Sequence, residues 1–161
     1  MAAVNRLIYV ETSIPSFYYE TRTGAKMQAR REWTREWWDH ALVGETLVTS
    51  LAVIAELSRS PEPKRSDSLA LIGSLPLLEG GEEIDDLVTA YIANKLMPAD
   101  AGGDAMHLAL ATFHHCEILV SWNCRHIANA NKSDHIHRIN GRLGYETPKL
   151  ITPLELLEEN P

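Results

Sequence analysis

The chain has 161 residues, enough for one domain around a single core. Hydrophobic residues make up 45% of it, which argues against disorder, and a formal net charge of −7 counts against a non-specific binder of phosphate backbones. Two cysteines without CxxC spacing, Cys116 and Cys124, argue against a disulfide scaffold or a thiolate zinc site and suit a reducing compartment. No run approaches the roughly 20 apolar residues of a membrane span, and Met1 to Arg6 lacks the apolar region of a signal peptide. A soluble cytoplasmic protein with no membrane partner is expected, as a single domain over residues 1–161.

Leu7 to Val10 is a short apolar run that reads as strand 1, ending in Glu11-Thr12-Ser13. Pro15 suits the first residue of a helical turn. Arg22 to Gly24 is a loop, and Ala25 to Leu42 is rich in helix formers, with Gly44 just past its end. Trp33 and Trp37 are spaced i, i+4 and share a face. Thr46 to Thr49 reads as strand 2, and Ser50 is placed to cap a following helix that reaches Glu56 or Leu57. After the break at Ser60-Pro61-Glu62-Pro63, Ser66 to Gly73 reads as a helix.

Leu75 to Glu79 is apolar but interrupted by Pro76, which suits an edge strand. Glu82 to Leu96 is a helix with acids in its first turn, as the helix dipole favours. Pro98 to Gly103 is a loop, and Asp104 opens an apolar helix. Ile118 to Ser121 reads as a buried parallel strand. Lys132 to Gly144 is polar and reads as loop and weak helix. Leu150–Ile151 is a last short strand, and Thr152-Pro153 caps a helix to Glu159. Strands alternating with helices predict an α/β protein with a mainly parallel five-stranded sheet covered on both faces.

Three acids and an amide sit at comparable places. Glu11 ends strand 1, Glu56 lies in the helix after strand 2, Asp104 opens the helix before strand 4, and Asn123 follows strand 4. Strands 1 and 4 are neighbours if the winding reverses between them, and ligands of open α/β sheets bind at such a reversal. Carboxylates gathered in one cleft repel unless a cation joins them, and Mg²⁺ or Mn²⁺ prefers such oxygen ligands. Ser13 is placed to bridge a carboxylate through its hydroxyl.

Each residue also has a plainer interpretation. Asp104 reads equally as an N-cap, Glu56 as a solvated helix residue, and Glu11, Ser13 and Asn123 as turn or cap residues. His107 is expected to be a buried, hydrogen-bonded helix residue. His126 reads as a cleft-edge substrate contact or as a cap. Zinc held by His107, His126 and a carboxylate lacks a tight motif such as HExxH. Trp122 is a candidate substrate or packing wall. Arg30, Arg31 and Arg35 read as a solvated face or as RNA phosphate contacts, and the Trp- and Arg-rich second helix also suits an interface.

Tyr9-Val10-Glu11-Thr12-Ser13-Ile14-Pro15-Ser16-Phe17-Tyr18, Glu56, Gly103-Asp104-Ala105-Met106-His107-Leu108-Ala109 and Val120-Ser121-Trp122-Asn123 together resemble the spaced acidic motifs of PIN domains. Among these, the chain is most similar to VapC-type toxins of toxin–antitoxin pairs, over nearly its whole length. The resemblance implies a three-layer α/β/α sandwich with strand order 3-2-1-4-5. It implies Mg²⁺- or Mn²⁺-dependent endoribonuclease activity, a small antitoxin partner and a homodimer. It assigns catalysis and metal binding to Glu11, Glu56, Asp104 and Asn123, with Ser13, Trp122 and His126 as substrate or supporting residues. Two positions depart from the family pattern, since Glu11 and Asn123 stand where aspartate is usual. The site then holds three formal negatives, so weaker metal binding is expected, and a PIN fold retained only as a binding module is the alternative.

Overall fold

The computed structural model describes residues 5–96, 103–123 and 130–159. In chain order the elements are β1 (Leu7–Val10), α1 (Ser13–Tyr18), α2 (Ala25–Gly44), β2 (Thr46–Ser50), α3 (Leu51–Leu57), α4 (Lys64–Ile72), β3 (Leu77–Leu78), α5 (Glu82–Ala93), α6 (Asp104–Phe113), β4 (Ile118–Val120), α7 (Ala130–Leu143), β5 (Lys149–Ile151) and α8 (Pro153–Glu159). All strand pairs are parallel, in the order β3-β2-β1-β4-β5. Helices flank the sheet, as in a three-layer sandwich: α1, α2 and α8 pack together, and α5 packs on α6.

The two central strands explain why this sheet forms. Ile8, Tyr9, Val10, Ile118, Leu119 and Val120 are each no more than 2% exposed, as a parallel strand covered on both faces requires. Val10 lies opposite Val120 in the register. The chain winds from β1 outward to β3, then returns to the other side of β1. The carboxyl ends of β1 and β4 therefore meet at the reversal, and Glu11 N–H donates to Val120 O at 3.3 Å.

Most predicted elements appear, with instructive shifts. Helix α1 starts at Ser13, so Pro15 falls inside its first turn, where a missing N–H costs nothing. Helix α2 runs through Gly44. Helix α4 begins at Lys64, directly after Pro63. Strand β3 is only Leu77–Leu78 and does lie at the sheet edge. Helix α5 stops at Ala93: Lys95 adopts φ 56°, and Leu96 N–H folds back onto Tyr91 O at 2.9 Å. Thr152 and Glu155 form a reciprocal capping pair at the start of α8, with Glu155 N–H donating to Thr152 Oγ1 at 3.2 Å.

Two expectations need correction. Residues 132–143, read as loop and weak helix, belong to a full helix, α7. Its buried stripe is narrow, Ile136, Ile139 and Asn140, and the polar remainder hides the i, i+3, i+4 pattern. Ser50 stands at the N-cap of α3 but makes no side-chain cap bond, because its hydroxyl pairs with Tyr9 instead. The loop expected at 98–103 lies largely outside the described residues, as does Cys124. Cys116 is buried, and that burial pushes its thiol up to about 12.

Candidate active site

Glu11 leaves β1 at the point where its backbone is still tied to β4. Its side chain is only 4% exposed, so the carboxylate must be compensated. Compensation comes entirely at Oε2, which accepts from Ser13 N–H (3.0 Å), Ser13 Oγ (2.6 Å) and Ser121 Oγ (2.7 Å). Each serine oxygen in turn accepts a backbone N–H from the loop after β4: Trp122 N–H to Ser13 at 2.8 Å, and Asn123 N–H to Ser121 at 2.8 Å. Those two N–H groups orient the hydroxyls so that both protons point at Glu11. Ser13 thus bridges the carboxylate as expected, and Glu11 also binds the first turn of α1. Its Oε1 accepts no hydrogen bond from the described residues.

Asp104 is the first residue of α6, with Gly103 rather than Asp104 at the N-cap. It is 7% exposed. Asn123 Nδ2 donates to both of its oxygens, at 3.0 and 3.1 Å. The amide turns its nitrogen, not its oxygen, toward the carboxylate, the only orientation that avoids facing two acceptors. Glu11 and Asp104 are therefore joined through two residues of one loop, Ser121 and Asn123.

Glu56 arrives from α3 and meets α6 one turn beyond Asp104. Its Oε1 lies 2.5 Å from Nε2 of His107, which is wholly buried as the sequence led us to expect. His107 Nδ1 is 2.7 Å from the Tyr9 hydroxyl, and that hydroxyl is 2.7 Å from Ser50 Oγ. A buried chain of three side chains, His107, Tyr9 and Ser50, thus backs Glu56. Burial pushes the Glu56 carboxyl up, but the hydrogen bond and charge of His107, aided by Thr12 and Arg59, outweigh it and leave it below its ordinary value. The Thr12 hydroxyl stops short of hydrogen-bond geometry and is the one buried side-chain polar atom left unpaired among the described residues. Burial drives the Tyr9 phenol up, so it stays a donor.

Gly103 makes this approach possible. A Cβ there would overlap Glu56 Oε1 and sit 2.9 Å from His107 Nε2. Trp122 is a packing wall: it is 7% exposed, stacks on Trp33 at 6.2 Å, and its Nε1–H donates to Thr34 Oγ1 at 2.7 Å. His126 lies outside the described residues. Sequence reasoning missed the role of Ser121, although a hydroxyl directly after β4 was the available signal. It also missed Tyr9 and Ser50, where a phenol inside an apolar strand was the sign that a polar partner must be nearby.

Glu11, Glu56 and Asp104 offer oxygen donors only, a set that suits a hard divalent cation. Among the described residues, no three His, Cys, Asp or Glu side chains stand close enough to hold an ion by themselves. Mg²⁺ does not require such a cage, being usually held by one or two carboxylates while it keeps several waters. The unpaired Thr12 hydroxyl beside Glu56 is a natural partner for such a water. Among the described residues, no helix is long and apolar enough to cross a membrane. The chain matches no protein-family model and no curated protein.

Proposed function

We propose that the chain is a cytoplasmic Mg²⁺- or Mn²⁺-dependent endoribonuclease of the PIN type, similar to VapC toxins, with a small antitoxin as partner and a homodimer as its working form. The observation that carries this is the junction of Glu11 and Asp104, distant in sequence, through Ser121 and Asn123 at the β1–β4 reversal. When bound, the cation supplies charge neutralisation at the phosphate and a more acidic water. Glu11, Asp104 and Glu56 would hold it, directly or through water. Ser13 and Ser121 fix Glu11, Asn123 orients Asp104, and His107 fixes Glu56.

The test is cleavage of RNA with Mn²⁺ or Mg²⁺ by the wild type and by Asp104→Asn. Metal-dependent cleavage that disappears in the variant is expected. Equal cleavage by both removes Asp104 from the chemistry. A second reading, a PIN-type fold acting only through binding, is favoured by the engagement of all three acids by the protein itself, Glu11 by Ser13 and Ser121, Asp104 by Asn123 and Glu56 by His107. A wild type that neither cleaves RNA nor takes up Mn²⁺ would select it.

A further inference from the structure

The arginines of α2 do not simply face solvent. The Arg30 guanidinium lies 5.6 Å from the Phe17 ring centroid and 5.2 Å from that of Trp122. Trp33 stacks on the same Trp122 with an interplanar angle of 27°, and Phe17 meets it at 6.0 Å. Arg22 reaches Phe17 at 5.9 Å and is itself held by Glu20. Three rings and two guanidinium groups, from α1, its following loop, α2 and the loop after β4, form one shelf. Trp122 is its buried floor, while Phe17, Arg30 and Trp33 are partly exposed.

In a chain with 22 acidic and 15 basic residues, some arginines are held by carboxylates: Arg6 pairs with two, Arg22 and Arg65 with one each. Among the described residues, the Arg30 guanidinium pairs with no carboxylate and meets only aromatic rings. Lying on rings occupies its face and leaves its in-plane N–H donors for an outside acceptor. That fork matches a phosphate. The neighbouring rings match unpaired bases, which stack on aromatic side chains, whereas a duplex hides its base faces. The shelf also adjoins the acids: Trp122 lies between Ser121 and Asn123, and its N–H donates to the serine that holds Glu11.

We infer that this shelf docks single-stranded RNA, with a phosphate on Arg30 and a base against Phe17, and delivers the adjoining phosphodiester to Glu11 and Asp104. The inference rests on the nuclease reading for its last step only. The chain is net acidic and the shelf offers two guanidinium groups, so docking involves few phosphates and its salt slope is correspondingly shallow.

The test is fluorescence anisotropy with a labelled single-stranded RNA oligonucleotide of mixed sequence, in EDTA, using Asp104→Asn protein so that cleavage cannot intervene. Adding Arg30→Ala or Arg30→Gln is expected to weaken binding about tenfold and to reduce the salt slope by about one. Phe17→Ala is expected to weaken binding by a similar factor. The matching duplex should bind worse than the single strand. Thermal unfolding checks that each variant is folded, and Arg30→Gln keeps the side-chain length should Arg30→Ala fail that check. Absent binding, binding indifferent to both Arg30 variants, or equal binding of duplex overturns the shelf. So does a self-association, seen by sedimentation, that Arg30→Ala abolishes without any RNA binding, which would make the patch a protein interface. Arg30-dependent binding by a chain whose wild type never cleaves RNA overturns the nuclease reading alone; metal-dependent cleavage that ignores Arg30 overturns the shelf alone.

Discussion

His107 Nε2 lies 2.5 Å from Glu56 Oε1, while its Nδ1 meets the Tyr9 hydroxyl at 2.7 Å. A carboxylate only accepts, so Nε2 carries the proton it shares with Glu56. With neutral His107, Ser50 donates to Tyr9 and Tyr9 to Nδ1. With protonated His107, every bond behind it reverses and all remain satisfied. The chain therefore holds Glu56 in place in either protonation state.

Gly103→Ala isolates that placement. The new Cβ would strike the end of a flexible side chain that is 28% exposed, so Glu56 can move outward. His107 would then lose its acceptor, at a cost of about 1–3 kcal/mol. Cleavage should fall at least about tenfold while the protein remains folded. Parallel measurement of the RNA cleavage rate and the thermal midpoint checks this, and full activity in a folded variant contradicts it.

Ser121→Ala removes one of three donors from Glu11 and also the acceptor of Asn123 N–H. Groups that orient a metal-binding carboxylate typically matter about 10–100-fold in metal affinity or activity. A loss in that range is expected, read as the Mn²⁺ concentration needed for half-maximal cleavage. An unchanged metal requirement would show that Ser13 alone suffices.

Acid sensitivity should trace in part to Glu20, which accepts from Thr21 N–H, Arg22 N–H and the Arg22 guanidinium. The Arg22 hydrogen bond outweighs burial and holds this carboxyl at about 2, against an ordinary 4.5. The stabilisation is therefore complete above pH 4.5 and is lost as pH falls toward 2. Glu56, also held below its ordinary value, acts in the same direction. Glu20→Gln should be less stable than the wild type at neutral pH and lose less stability between pH 4.5 and 2. Urea midpoints across that range check it, and parallel curves for the two proteins contradict it.

Asn140 ties α7 to its neighbours. Its Oδ1 accepts from Tyr91 OH at 2.6 Å, and its Nδ2 donates to Thr147 at 3.1 Å and to Thr112 at 3.4 Å. Asn140→Ala leaves the buried Tyr91 phenol with only its longer bond to Thr112 Oγ1 at 3.3 Å and removes the ties to Thr147 and Thr112, with an expected loss of about 1–2 kcal/mol, or about 2–8 °C in thermal midpoint. A midpoint within about 1 °C of wild type would contradict that role.

What the sequence disclosed follows from how much signal each element carries. Strands β1 and β4 are uninterrupted apolar runs because both faces are covered, so their bounds and pairing were legible. The places of Glu11 and Asp104 followed from those strand ends and from the start of α6. Helix α7 was not legible, because Ile136, Ile139 and Asn140 are its only described buried residues amid polar neighbours. Nor was the orientation of Asn123, since an amide offers both a donor and an acceptor and only the placement of Asp104 selects between them. Ser50 misled for a related reason: its hydroxyl had two possible partners, and the Tyr9 phenol took precedence over the helix end.

Calorimetric titration of Mn²⁺ into the wild type, Glu11→Gln and Asp104→Asn bears most directly on the acids acting together at the β1–β4 reversal. One saturable uptake by the wild type, abolished in each variant while the fold persists, is expected. Equal uptake by all three proteins, or none by the wild type, would contradict it.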